Sequence, residues 1–174
     1  MNHPPPNQAP TLSIITNRVS SVGIPLSITN AASDLDVPAQ ALAFSLLDAP
    51  AGAAITTNTG VLTWRPAVAQ ANTTNLVTVK VTDNGTPSLS ATQSFYVVVN
   101  PLTAAGITGL LATNGAFGFQ VGGDFGPDYS VEASSNLVDW STVFTTNSPQ
   151  VPFIWSDGIS NQQATRFFRV VLGP

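Results

Sequence analysis

Hydrophobic and polar positions alternate along most of this chain, most regularly from Leu76 to Asn100. There Val77, Val79 and Val81 alternate with Thr78, Lys80 and Thr82, and after a turn Phe95, Val97 and Val99 form a second apolar set. Successive side chains of a strand point to opposite faces, so this alternation gives each strand one apolar and one polar face. Asp83-Asn84-Gly85-Thr86-Pro87, between the two runs, has the chemistry of a turn. Asp and Asn bond their own backbone, Gly accepts positive φ, and Pro withholds a ladder donor. The pattern predicts a β-hairpin whose apolar face must be covered by a second sheet.

The same period recurs on both sides of the hairpin. Residues 11–16 and 18–22 predict a first strand kinked at Asn17, and Pro25–Ala32 a second with Leu26 and Ile28 inward. Ser33-Asp34-Leu35-Asp36 is a loop, followed by a strand with Leu42, Phe44 and Leu46 on one face. Short strands are expected at 54–57 and 61–64, then a polar loop at 66–75. Beyond Asn100-Pro101 the pattern starts again, with strands at 107–112, 117–121, 129–134, 141–145, 151–155 and 166–172. A turn at 159–164 is the one place with a trace of helical period. Short strands at this spacing, separated by turn residues, predict an all-β chain of two tandem β-sandwiches, residues 11–102 and 103–174, after a Pro-rich arm at 1–10.

Composition supports this division. Of the 174 residues only 8% are charged, with a single Lys and a single Glu, although the hydrophobic share is an ordinary 43%. Lys and Glu are the usual surface residues of helices, whereas Thr and Val favour strands. The net charge is −4, of which −1 falls in residues 1–103 and −3 in 104–174. No basic patch exists to meet nucleic acid or an anionic membrane surface. There is no Cys, hence no disulfide framework or thiolate chemistry, and no apolar run is long enough to span a bilayer. Met1 followed directly by the Pro-rich arm suggests a chain that continues upstream in its natural protein.

Several short motifs carry a likeness. Asn7-Gln8-Ala9-Pro10, Ala32-Ser33-Asp34-Leu35-Asp36, Ala49-Pro50-Ala51-Gly52-Ala53, Thr59 to Pro66 (TGVLTWRP) and Val81 to Pro87 (VTDNGTP) follow one another in that order. On them, residues 8–101 resemble the putative-immunoglobulin, or dystroglycan-type cadherin-like, repeats of bacterial surface and secreted proteins. Tyr129 to Trp140 (YSVEASSNLVDW) and Arg166-Phe167-Phe168-Arg169-Val170 make residues 107–174 look like a fibronectin-type-III-like C-terminal module of large exported bacterial proteins. Together the likenesses imply immunoglobulin-like and fibronectin-III-like sandwiches in an extracellular or cell-surface protein, serving as spacers, adhesion elements or attachment domains. The partners implied are neighbouring domains of the same protein, polysaccharide or other cell-surface components, and further copies of the chain.

The same resemblance supplies a metal candidate. Cadherin-type repeats use an Asp-x-Asp after the second strand to bind Ca²⁺ between domains; Asp34 and Asp36 match that pair, and Asp83 the later acidic position. Ca²⁺ takes six to eight oxygens. The first domain has no Glu and the linker at 6–10 no carboxylate, so the competing reading is that these Asp residues close turns. Asp124 and Asp128 around Gly126-Pro127 pose the same choice. Carbohydrate is the second candidate, through Trp140 and Trp155, with Phe125, Tyr129 and Phe153 nearby in sequence. Aromatic rings stack on sugar faces, but tryptophans of small sandwiches usually fill the core. Catalysis has little to stand on, because the only His is His3 in the arm and no phosphate-cradling motif occurs. The arm itself is a candidate donor strand for a neighbouring copy, since a surface this poor in charge leaves its strand edges unguarded.

Overall fold

The computed structural model describes residues 5–113, 116–158 and 165–173. The turn expected at 159–164 and His3 lie outside them. The chain forms two compact units. The first holds the residues up to Ser20, Pro25–Arg65 and Asn72–Val99; the second holds Ser21–Ile24, Pro66–Ala71 and the residues from Asn100 on. The change of unit thus falls three residues before the expected boundary at 102/103, and two short segments of the 11–102 stretch group with the second unit.

The first unit has nine strands: β1 (Thr11–Leu12), β2 (Arg18–Ser20), β3 (Leu26–Thr29), β4 (Ala32–Ser33), β5 (Ala43–Asp48), β6 (Ala54–Ile55), β7 (Val61–Trp64), β8 (Thr74–Thr82) and β9 (Ser90–Val99). They make a four-stranded sheet in the order β2-β9-β8-β5, a three-stranded sheet β3-β7-β6 and a two-stranded ribbon β1-β4. The hairpin predicted from alternation is β8-β9, with Val77 opposite Phe95 and Thr78 opposite Ser94. Val77, Val79, Val81, Phe95, Val97 and Val99 are all at most 2% exposed. On the outer face the hydroxyls of Thr78 and Ser94 bond each other at 2.9 Å. Ile28, Phe44, Leu62 and Trp64 are buried core residues of the other strands. Burying a side chain of this class fully is worth about 1.5–3 kcal/mol, so the hairpin's six residues are the main hydrophobic contribution to this unit.

The expected first strand is broken in two. β1 pairs antiparallel with β4, whereas β2 pairs parallel with β9 in the other sheet. Between them Ile14 is 85% exposed and no ladder forms. The kink falls at Asn17, whose side-chain oxygen accepts the Tyr96 backbone N–H at 2.9 Å and so takes the place of a ladder carbonyl. β5 has a second irregularity: its register slips between Leu46 and Asp48, which leaves Leu47 exposed.

Among its described residues the second unit has six strands: β10 (Gly106–Thr113), β11 (Ala116–Gly122), β12 (Asp128–Ser134), β13 (Ser141–Thr146), β14 (Phe153–Gly158) and β15 (Phe167–Gly173). They form two three-stranded antiparallel sheets, β10-β11-β14 and β13-β12-β15. Phe119, Val121, Tyr129, Val131 and Trp155 are the buried centre, with Phe117, Phe144, Phe153, Phe168, Val170 and Leu172 packed around it. Phe117 and Phe168 stack at 5.5 Å, and the other rings meet edge-on or tilted, Phe119 with Trp155 at 5.0 Å and Trp155 with Phe168 at 5.2 Å between centroids. Tyr129, the second residue of β12, donates its hydroxyl to the Asp124 carbonyl at 2.7 Å. Gly123 makes room for it: its φ is +154°, and a Cβ there would lie 2.4 Å from the Tyr129 hydroxyl.

Candidate functional site

The first unit gathers a set of polar side chains at one end, where the N-terminal segment, the β4–β5 loop and the β8–β9 turn meet. Each is held for a local reason. Asp34 Oδ1 accepts the Asp36 backbone N–H at 2.9 Å, an Asx turn that shapes the β4–β5 loop. Asp83 Oδ1 accepts the N–H groups of Gly85 (3.0 Å) and Leu89 (2.9 Å) and closes the β8–β9 turn. Asn84 Oδ1 accepts the Ala41 N–H at 2.9 Å and ties that turn to the loop across from it.

The N-terminal segment is then locked onto this frame. Asn7 Nδ2 donates to Asp83 Oδ2 at 3.2 Å and to the Pro87 carbonyl at 2.8 Å. Gln8 donates its backbone N–H to Asp36 Oδ2 at 2.9 Å. Gln40 Nε2 reaches both Asp36 Oδ2, at 2.8 Å, and Asn7 Oδ1. Sequence reasoning brought Asp34, Asp36 and Asp83 forward, and the structure does collect them at one pole. It missed Asn7, Gln8, Gln40 and Asn84, which connect them. Asn7 stood in a motif read as linker; an amide following a run of prolines was the available signal.

The Asp83 side chain is 5% exposed. Burial works to raise its pKa, but the hydrogen bonds from Leu89 and Gly85, helped by the Asn7 and Ser88 side chains, outweigh it and hold the carboxyl below its ordinary 3.8. The stabilising partners are therefore N–H and O–H donors. Both oxygens of Asp83 and both oxygens of Asp36 accept donors of this kind, including Gln8 Nε2 on Asp36 Oδ1. Two acceptors of the patch, Asp34 Oδ2 and Gln40 Oε1, are buried without a hydrogen-bond partner. Among the described residues no three His, Cys, Asp or Glu side chains group as metal ligands. As arranged, the pole is an amide–carboxylate latch whose carboxylate oxygens, Asp34 Oδ2 apart, accept N–H donors.

The latch also bears on the arm. From Asn7 onward the N-terminal segment is bonded to its own unit, and Pro10 is buried. Those residues are committed at home, which opposes a donor role for that part of the arm; residues 1–4 lie outside the described residues.

In the second unit the candidate aromatics separate. Trp155 is 7% exposed in the core, with Tyr129 and Phe153 packed there as well. This burial opposes the sugar-stacking expectation for Trp155, whose ring packs at a tilt against Phe119 and Phe168. Trp140 is half-buried at the surface, its indole N–H bonded to the Leu137 carbonyl at 3.2 Å. The Arg169 guanidinium lies 4.3 Å from the centre of its ring and pairs with Glu132 at 2.6 Å. Phe125 is half exposed. Asp124 accepts the Thr103 N–H at 2.7 Å and Asp128 the Ser148 N–H at 3.1 Å, so both brace backbone. Tyr129 is held above its ordinary pKa of 10.0 by burial and, less, by the Asp124 charge.

Comparison with known proteins places these features. The family model described as Putative Ig domain matches residues 9–100. No curated protein sequence matches the chain. Among solved structures it is similar to the protocadherin gammaB4 extracellular domain (19% identity over 63% of this chain and 20% of that one, TM-score 0.46). It is also similar to the protocadherin gammaB7 EC3-6 cis-dimer structure (14%, 94% and 50%, TM-score 0.48) and to human CDH23 EC21-23 (17%, 66% and 45%, TM-score 0.42). The chain spans half or less of the length of each of these three.

Proposed function

Because the chain belongs to the Putative Ig domain family through residues 9–100, we propose that it is a non-catalytic spacer or attachment module of a larger exported bacterial protein. Its partners are the neighbouring modules of that protein and components of the cell surface outside the cell. The observation that supports this reading is the course of the chain through the first unit. Asn7 is fixed at the pole that carries the β8–β9 turn, and Val99 ends β9 at the far end of the same strands. The chain therefore arrives at one end of the unit and leaves at the other. That is the path an end-to-end array needs, and it places no demand on chemistry at any side chain.

Binding is the rival. One surface feature favours it, the half-buried Trp140 with Arg169 and Glu132 beside it. Glycan-array and titration measurements separate the two. The spacer reading expects no saturable polysaccharide binding and a size independent of protein concentration. Saturable binding that Trp140→Ala abolishes with the fold intact transfers the chain to the binding class. Calcium is tested by thermal unfolding in CaCl₂ and in EDTA. The latch predicts coincident transitions of the first unit, and a Ca²⁺-dependent rise lost on Asp34→Asn with Asp36→Asn would reverse that conclusion.

A further inference from the structure

We propose that Asn84 is a covalent modification site, a latent succinimide former that the pole keeps closed for as long as Asn7 is latched. Asparagine followed by glycine is the pair most open to this chemistry, because a glycine nitrogen carries no neighbouring side chain to shield it. The sequence contains two such pairs, Asn84-Gly85 and Asn114-Gly115, and the second lies outside the described residues. At position 85 the glycine is imposed by the latch. A Cβ there would come within 2.1 Å of Asn7 Oδ1 and 2.4 Å of its Nδ2. The close approach that seats Asn7 thus demands the residue that leaves Asn84 exposed to ring closure.

The reaction needs only water. The Gly85 backbone nitrogen attacks Asn84 Cγ. A C–N bond forms, the Cγ–Nδ2 bond breaks, and Nδ2 leaves as ammonia, carrying the proton that Gly85 gives up. Water then opens the imide at either carbonyl and yields aspartate or isoaspartate at position 84. Asn84 is exposed, so water reaches it and ammonia can depart.

Both reacting groups are held in position in the folded pole, which keeps Asn84 Cγ from swinging onto the Gly85 nitrogen. The Gly85 N–H is donated to Asp83 Oδ1 at 3.0 Å, and Asn84 Oδ1 is held by the Ala41 N–H at 2.9 Å. Asn7 braces the arrangement from behind, through Asp83 Oδ2 and the Pro87 carbonyl. Ring closure therefore waits for the pole to open. Its product cannot return to the starting state. A new carboxylate stands next to Asp83, and the isoaspartyl form adds a methylene to the main chain of the β8–β9 turn. A transient opening is thereby turned into a permanent record in the chain.

The test is to incubate the full chain at mildly alkaline pH, folded and in concentrated urea, and to follow position 84 by peptide mass mapping and by isoaspartyl methyltransferase labelling. The same is done for folded Asn7→Ala and for Ala41→Pro, which removes the single donor to Asn84 Oδ1; Trp64 fluorescence verifies that the first unit stays folded. Conversion at Asn84 is expected to be slow in the folded wild type and fast in urea. It should be on the order of fivefold to tenfold faster in each folded variant than in folded wild type, the ratio expected when a net hydrogen-bond contribution is lost. Equal rates in folded and unfolded wild type, or folded variants no faster than wild type, would overturn the gate. Absence of conversion at Asn84 in urea would overturn the site itself.

Discussion

The two units solve the same problem with different materials. The first builds its central hairpin from five valines and one phenylalanine. The second centres on Phe119, Tyr129 and Trp155, with four more phenylalanine rings and several aliphatic side chains pressed against them. A hairpin of nine and ten residues supplies a long ladder and needs only small side chains to seal it. Strands of six to eight residues in three-stranded sheets offer less ladder, and large rings bury more surface per position. The polar side chains differ in the same sense. The first unit gathers several of its amides and carboxylates in one latch, whereas in the second Asp124, Asp128 and Tyr129 brace backbone separately. Stability is therefore distributed over many small contributions in the first unit and concentrated in a few large ones in the second.

Substitutions at the two centres break the comparison most sharply. Trp155→Ala removes the ring that Phe119 and Phe168 pack on, and should destabilise the second unit by about 3–5 kcal/mol while leaving the first unit's transition, read from Trp64, in place. Val79→Ala, at a fully buried position of the first unit, should cost about 2–3 kcal/mol as two methyl groups' burial is lost and a small cavity opens. Denaturant titrations of the two variants give both values. Loss of both transitions from either single change would mean that the units fold as one body.

Acid and alkali sharpen the contrast further. Asp83 has its folded pKa below the ordinary 3.8, so its contribution is complete above that value and is lost as pH falls through the folded pKa. Tyr129 has its folded pKa above 10.0, so its contribution is complete below pH 10.0 and is lost as pH rises through the folded value. Thermal scans across pH should show the first unit weakening first in acid and the second first in alkali. The Asp83→Asn and Tyr129→Phe variants should each lose only their own limb.

Much of this architecture is legible in the residues because the period of two is local. Val77 to Val81 and Phe95 to Val99 declare their faces without reference to anything else in the chain, and so does Phe117-Phe119-Val121. The kink at Asn17 is legible too, since an amide between two apolar runs interrupts a ladder. Trp155 is less so: in Phe153-Ile154-Trp155 every position is apolar, so alternation marks no face, and the exposed Ile154 can be told from its neighbours only in three dimensions. The latch is harder still. Asn7 meets Asp83 across 76 positions, and neither residue's surroundings in sequence mention the other. A carboxylate's partner is decided by what arrives in space. In the motif that suggested a cation, Asp36 and Asp83 accept N–H donors at both oxygens, and Asp34 at one.

The parallel pairing of β2 with β9 has a mechanical consequence. Arg18, Val19 and Ser20 run beside Val97, Val98 and Val99 in the same direction, away from the pole where the chain arrives. Tension applied to the two ends of the unit pulls β2 toward that pole and β9 away from it, so the strands are loaded in shear along their axes. All three pairs then bear force together and must yield together, whereas a hairpin pulled at its open end parts one pair at a time. β2 and β9 are the pair that takes this shear, and the antiparallel ladder of β8 and β9 behind them is shielded from it until they part.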